Sequence, residues 1–138
     1  MNENDQKYCF ESEGYLIVEQ LLSEDEIRSC QNEIQTLQQK AKGYFETGDQ
    51  RAGCFQLEPY MNSEKTDESQ PNDYPVLRKV ERTGHLSTVF FNLARHPKLV
   101  QTVRNLIGRD VLLFRSTLMF KPAFHGSAHG LHQDSAYW

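Results

Sequence analysis

His125, His129, His132 and Asp134 crowd into one short stretch near the end of the chain, and all four are metal-ligand types. Of the five histidines, only His85 and His96 lie elsewhere. The sharpest pattern is His132-Gln133-Asp134. In a strand, residues i and i+2 project from one face, so His132 and Asp134 would stand side by side with Gln133 turned away. Their Cα atoms would then be roughly 6.5 Å apart. From that spacing an imidazole nitrogen and a carboxylate oxygen can close on one ion at roughly 2 Å each. Such a pair is two-thirds of the 2-His-1-carboxylate triad, which leaves neighbouring positions on Fe(II) open. Alone the pattern is weak, since a chain of this composition carries a His-x-Asp by chance about one time in four. A histidine hydrogen-bonded to a nearby carboxylate on a sheet face is the plain alternative. The four side chains together could also close a structural Zn(II) site, which would make the segment a binding module.

The elements that must position this cluster read as helices first and strands last, an α+β order. Residues 15–18 form a short apolar, partly β-branched run and predict a strand. Ser23 and Glu26 have the spacing of a capping box, with Leu22 and Ile27 placed for a hydrophobic staple. Ile27, Cys30, Ile34, Leu37 and Ala41 recur on one helical face, and Gly43 is expected to end that helix. Residues 43–75 contain a long polar stretch closed by Pro75 and predict a surface loop. Residues 76–80 predict a short strand and residues 87–96 a helix. Pro97 fits the first position of another helix and Gly108 its C-terminal cap. Leu99, Val100, Val103, Leu106 and Ile107 give it a broad apolar face. Residues 111–120 read as a long buried strand ended by Lys121-Pro122. Gly126 and Gly130 lie in the following loop, and residues 131–138 read as one more strand. These strands are too few to close a barrel or sandwich.

The 138 residues are one domain's worth, and 38% hydrophobic with 25% charged side chains is a soluble globular balance. Net charge is −4 with no basic stripe, which argues against nucleic acid as a partner. No apolar run is long enough to span a bilayer and the N-terminus lacks a signal peptide's core, so no membrane association and a cytoplasmic location are expected. Cys9, Cys30 and Cys54 are three and widely spaced, which suits reduced thiols better than a disulfide frame. The apolar, aromatic end at Tyr137-Trp138 suggests a chain cut inside a folded element.

The context of the His-x-Asp pair carries a family resemblance. Phe120-Lys121-Pro122, a glycine-containing loop, and then Leu131-His132-Gln133-Asp134-Ser135-Ala136-Tyr137-Trp138 closely resemble the signature of the phytanoyl-CoA dioxygenase family. Upstream, Gly14-Tyr15-Leu16-Ile17-Val18 with Leu21-Leu22-Ser23 resembles the family's opening. Leu77-Arg78-Lys79-Val80, Leu93-Ala94-Arg95-His96-Pro97 and Leu106-Ile107-Gly108 resemble its middle. The likeness covers nearly the whole chain but only the N-terminal half of a typical member. It implies N-terminal helices packed on an incomplete double-stranded β-helix, a cupin-like jelly roll. It further implies a non-haem Fe(II)/2-oxoglutarate-dependent dioxygenase that hydroxylates a small organic or acyl substrate with dioxygen, ascorbate being a candidate reductant.

By motif position, the resemblance makes His132 the first histidine ligand and Asp134 the carboxylate ligand. The family's second histidine and its 2-oxoglutarate-binding arginine lie far downstream, and no residue here is assigned to either. On that reading the 138 residues alone are inactive. Asp134 occupies the position that related halogenases fill with a small residue, which implies hydroxylation. Thr117 stands near the co-substrate where many relatives carry a longer polar side chain, and a threonine reaches less far. Lys121 faces either an anionic co-substrate or solvent. Tyr137 and Trp138 line the substrate pocket or serve as core. His125 and His129 are gate residues or solvated loop histidines. Arg78 and Lys79 sit at a strand edge. A catalytically dead interaction protein of the same fold is the remaining alternative.

Overall fold

The structure, a computed structural model, describes residues 2–58, 77–121 and 128–136. Its polar N-terminus is helical (α1, Glu3–Glu13), a helix without an apolar period. Its ends account for it. The Asn2 side chain accepts from the Asp5 N–H at 2.9 Å, and Gly14 closes it in the left-handed region at φ 80°. Residues 15–18 follow as extended coil and not as the expected strand. Their side chains still alternate, Tyr15 and Ile17 exposed and Leu16 and Val18 half-buried, but no neighbouring strand pairs with them among the described residues.

The capping box forms as its spacing requires. Ser23 N–H donates to Glu26 Oε2 at 2.7 Å, and the Glu26 N–H donates to Ser23 Oγ at 3.3 Å. Helix α2 runs Glu24–Thr47, past Gly43, and ends at Gly48 with φ 67°. A glycine inside a helix weakens it without stopping it, whereas a left-handed C-cap stops it. Leu37 and Ala41 are the buried residues of the expected face, while Ile27 at its start is 44% exposed. The loop expected over 43–75 therefore begins later. A 3-10 turn (Gln50–Cys54) and strand β1 (Phe55–Leu57) follow α2, and the polar remainder from 59 to 76 lies outside the described residues.

Strand β2 (Leu77–Glu81) matches its expectation. It is followed by α3 (Thr83–Leu86), α4 (Thr88–Ala94, capped by Ser87) and α5 (Pro97–Ile107, proline in its first turn and Gly108 at its cap). Strand β3 is only Thr117–Met119. The sheet order is β1-β2-β3, antiparallel throughout, with Phe55 and Leu118 both opposite Val80. Leu37 and Ala41 of α2, Phe55, Leu77 and Val80 of the sheet and Phe90 of α4 form the buried core. Thr83, 2% exposed, ties α3 to the approach to β3 through its N–H to Ser116 O at 3.2 Å and a hydroxyl contact with Ser116 Oγ.

Two further strand expectations fail. The long buried strand over 111–120 shrinks to three residues, and Leu112, Leu113 and Phe114 are 96%, 65% and 77% exposed. Of residues 111–120 only 117–119 are paired, with Lys79–Glu81, and no other strand among the described residues receives the rest. Of the strand expected over 131–138, residues 131–133 are coil and Asp134–Ala136 a 3-10 turn, closed by Ala136 N–H donating to Gln133 O at 3.0 Å, while 137 and 138 lie outside the described residues. The α+β order holds, but the three described strands do not close a jelly roll. No helix among the described residues is long and apolar enough to cross a membrane.

Candidate metal centre

Gly130 sets the orientation of His132. The imidazole Nδ1 lies 2.9 Å from the Gly130 carbonyl oxygen. A carbonyl only accepts, so Nδ1 carries the hydrogen, and in the neutral ring the lone pair is on Nε2. Nε2 faces Asp134 Oδ1 at 3.3 Å. The two expected ligands are thus brought together through a loop and a tight turn, not through the two-residue repeat of a strand. The His132 side chain is 32% exposed and that of Asp134 79%, so the pair sits at the surface of the described residues.

His129 packs edge-on against His132, with ring centroids 4.8 Å apart at 78°. On its other side the Arg78 guanidinium, on β2, approaches His129 Nδ1 at 3.5 Å. Arg78 is also tied to the site's approach by its backbone, its carbonyl accepting from Phe120 N–H at 2.8 Å, one residue before Lys121. Sequence reasoning placed Arg78 only at a strand edge. Its one signal was its place in Leu77-Arg78-Lys79-Val80. Thr117 begins β3, and its Oγ1 is buried without a hydrogen-bond partner among the described residues. Lys121 is exposed. No hydrogen bond or ion pair joins either of them to His132 or Asp134 among the described residues. His125, Tyr137 and Trp138 lie outside the described residues.

The model of the family Phytanoyl-CoA dioxygenase (PhyH) matches residues 10–138. The chain belongs to the phytanoyl-CoA dioxygenase family. It is 24% identical over 130 residues to an ectoine dioxygenase of Streptomyces coelicolor, a match covering 94% of this chain and 37% of that protein. Against the ectoine dioxygenase of Bordetella parapertussis it is 23% identical, covering 97% of this chain and 37% of the relative. With that of Nocardia farcinica the identity is 26% and the coverage 98% and 39%. The chain therefore spans little more than a third of the length of these relatives. No solved structure matches it.

For a phytanoyl-CoA dioxygenase family member, the donor set fits a divalent iron. A metal-ligating histidine usually donates its second ring N–H to a carbonyl or carboxylate, which fixes the tautomer that leaves the other nitrogen free to bind. His132 has that arrangement, with a carboxylate oxygen beside the lone-pair nitrogen. A proton on Nε2 satisfies this 3.3 Å contact in the absence of metal, and a divalent cation can take that proton's place. Among the described residues no third His, Cys, Asp or Glu joins them closely enough to complete a metal site. Among the described residues His129, edge-on to His132 and turned toward Arg78, does not complete a zinc site, and His125, the fourth member of that alternative, lies outside them.

Proposed function

We propose that this chain supplies two protein ligands, His132 and Asp134, to the Fe(II) centre of a 2-oxoglutarate-dependent dioxygenase that hydroxylates a small organic or acyl substrate. The observation that carries this reading is the His132 imidazole, locked by Gly130 with Nε2 turned to Asp134, in a chain of the phytanoyl-CoA dioxygenase family. Iron bound there with 2-oxoglutarate supplies the oxidising power for attack on an unactivated C–H bond. The chain's own part is to hold the two donors and to orient them. Gly130 fixes the imidazole plane, and the 3-10 turn at Asp134 points the carboxylate at it. On this reading the second histidine, the arginine that pairs with 2-oxoglutarate and the remainder of a jelly roll belong outside these 138 residues. At 23–26% identity, ectoine is not carried over as the substrate.

The test is anaerobic titration with Fe(II) of a full-length version that carries the second histidine and the arginine, the 138 residues alone being expected to bind iron poorly. His132→Ala and Asp134→Ala are expected to lose binding, and His129→Ala to retain it. A visible charge-transfer band on adding 2-oxoglutarate with Fe(II) marks the proposed centre, and zinc gives none. Binding that survives His132→Ala and disappears in His129→Ala would show that the ligands are wrongly assigned.

A further inference from the structure

Charge is unevenly spread over this molecule. The segments 77–82, 115–121 and 128–136 carry Arg78, Lys79, Arg82, Arg115 and Lys121 against only Glu81 and Asp134, a balance of +3 in a chain whose net charge is −4. Three of these cations gather on Glu81. Lys79 Nζ lies 2.6 Å from its carboxylate, and that hydrogen bond, followed by the fields of Arg115 and Arg82, holds the Glu81 carboxyl below its ordinary range. Arg78 is different. It is half-buried on β2, has no carboxylate partner among the described residues, and spends one N–H on a long contact with His129. A guanidinium has five donors in a planar fork suited to a carboxylate or phosphate. One that is half removed from water and not neutralised costs free energy unless an anion completes it. Its position is one imidazole away from the proposed ligands, in the order Arg78, His129, His132, Asp134.

We infer that Arg78 is the substrate-recognising cation of this site, and that the substrate class is an anion bearing a carboxylate or phosphate close to the carbon that reacts. The inference rests on the proposed iron site for its meaning but is testable without iron. His129 is then a positioning residue, held between the guanidinium and the His132 ring. The neighbouring Lys121 adds long-range attraction and no specific contact.

Succinate and its neutral analogue succinamide are titrated calorimetrically into metal-free protein at low ionic strength. Succinate is expected to bind and succinamide not. Arg78→Met should weaken succinate by about tenfold or more, the usual scale for a lost hydrogen bond to a charged group. Arg104→Met, which removes the same charge from α5, should bind as wild type. Circular dichroism checks folding, and Arg78→Gln replaces Arg78→Met under the same criterion if the latter unfolds. 2-Oxoglutarate is titrated in parallel: Arg78-dependent binding about tenfold or more tighter than that of succinate would make Arg78 the co-substrate's cation and overturn the substrate assignment, and binding no tighter than succinate supports it. Equal binding of succinamide, no succinate binding by folded wild type, or undiminished binding by a folded Arg78 variant also overturns it.

Discussion

Glu26 holds three groups with one carboxylate. Oε2 accepts from Ser23 N–H at 2.7 Å and from Ser23 Oγ at 2.8 Å, while Oε1 lies 3.0 Å from His96 Nε2 at the start of α5. The Ser23 backbone hydrogen bond, then its side chain, and less strongly His96, hold the Glu26 carboxyl below its usual value of 4.5. The folded-state value is therefore lower than the unfolded one. The stabilisation is present above pH 4.5 and is lost as pH falls through the folded value. Asp49 behaves alike further into acid, since the Arg51 guanidinium holds its carboxyl at about 2. Glu26→Gln is accordingly expected to lower the thermal midpoint at neutral pH, with the gap to wild type closing below pH 4.5. Ser23→Ala removes the other half of the box and should cost about 1 kcal/mol at neutral pH, the usual magnitude for an N-cap. Melting curves from pH 7 down to pH 3 decide the matter, and a gap that widens in acid would contradict this assignment of the capping box.

Among the elements, α2 carries the core. Leu37 is wholly buried between the helix and the sheet, and Leu37→Ala is expected to cost about 2–5 kcal/mol. Urea unfolding followed by circular dichroism measures it, and a loss below about 1 kcal/mol would mean that the surrounding residues collapse into the space. This helix was legible because its signals are local: a cap, its reciprocal glutamate and a repeating apolar face. Its end was not, because Gly43 and Gly48 are the same residue to a sequence reader, and only Gly48 takes the left-handed conformation. Strands were legible where apolar residues cluster, as at Leu77–Glu81, and hidden where pairing decides. Phe55–Leu57 is a strand because Leu77, Lys79 and Val80 pair with it, while residues 111–116 share the composition of a strand and lack its partner. The His132–Asp134 pair was visible from its spacing, yet no strand carries it: residues 131–133 are coil and a 3-10 turn begins at Asp134. The approach of Arg78, 51 positions away from His129, is a long-range contact that no local pattern announces.

For the whole molecule, exposed apolar surface is the dominant liability. Leu112 and Leu113 are 96% and 65% exposed, and Leu131 is fully exposed. Sheet order β1-β2-β3 leaves β3 at an edge among the described residues, just after this strip. Apolar side chains beside an unpaired strand edge favour association, because a second chain can satisfy the edge and cover the side chains at once. The net charge of −4 opposes contact only weakly, since the segments 77–82 and 115–121 around β3 carry an excess of positive charge. The 138-residue chain should therefore self-associate as its concentration rises, with residues 111–114 at the contact. Light scattering is expected to show a mass growing beyond 16.0 kDa with concentration. Leu112→Lys with Leu113→Lys should return it to the monomer value while leaving far-ultraviolet circular dichroism unchanged, because neither side chain belongs to the core. High salt provides the second check. An association driven by apolar burial strengthens or holds in sulfate, whereas one driven by the opposed acidic and basic regions weakens. A wild-type chain that remains monomeric at high concentration would show that the strip is tolerated by this protein as it stands, and association undiminished in the double variant would move the contact to another face.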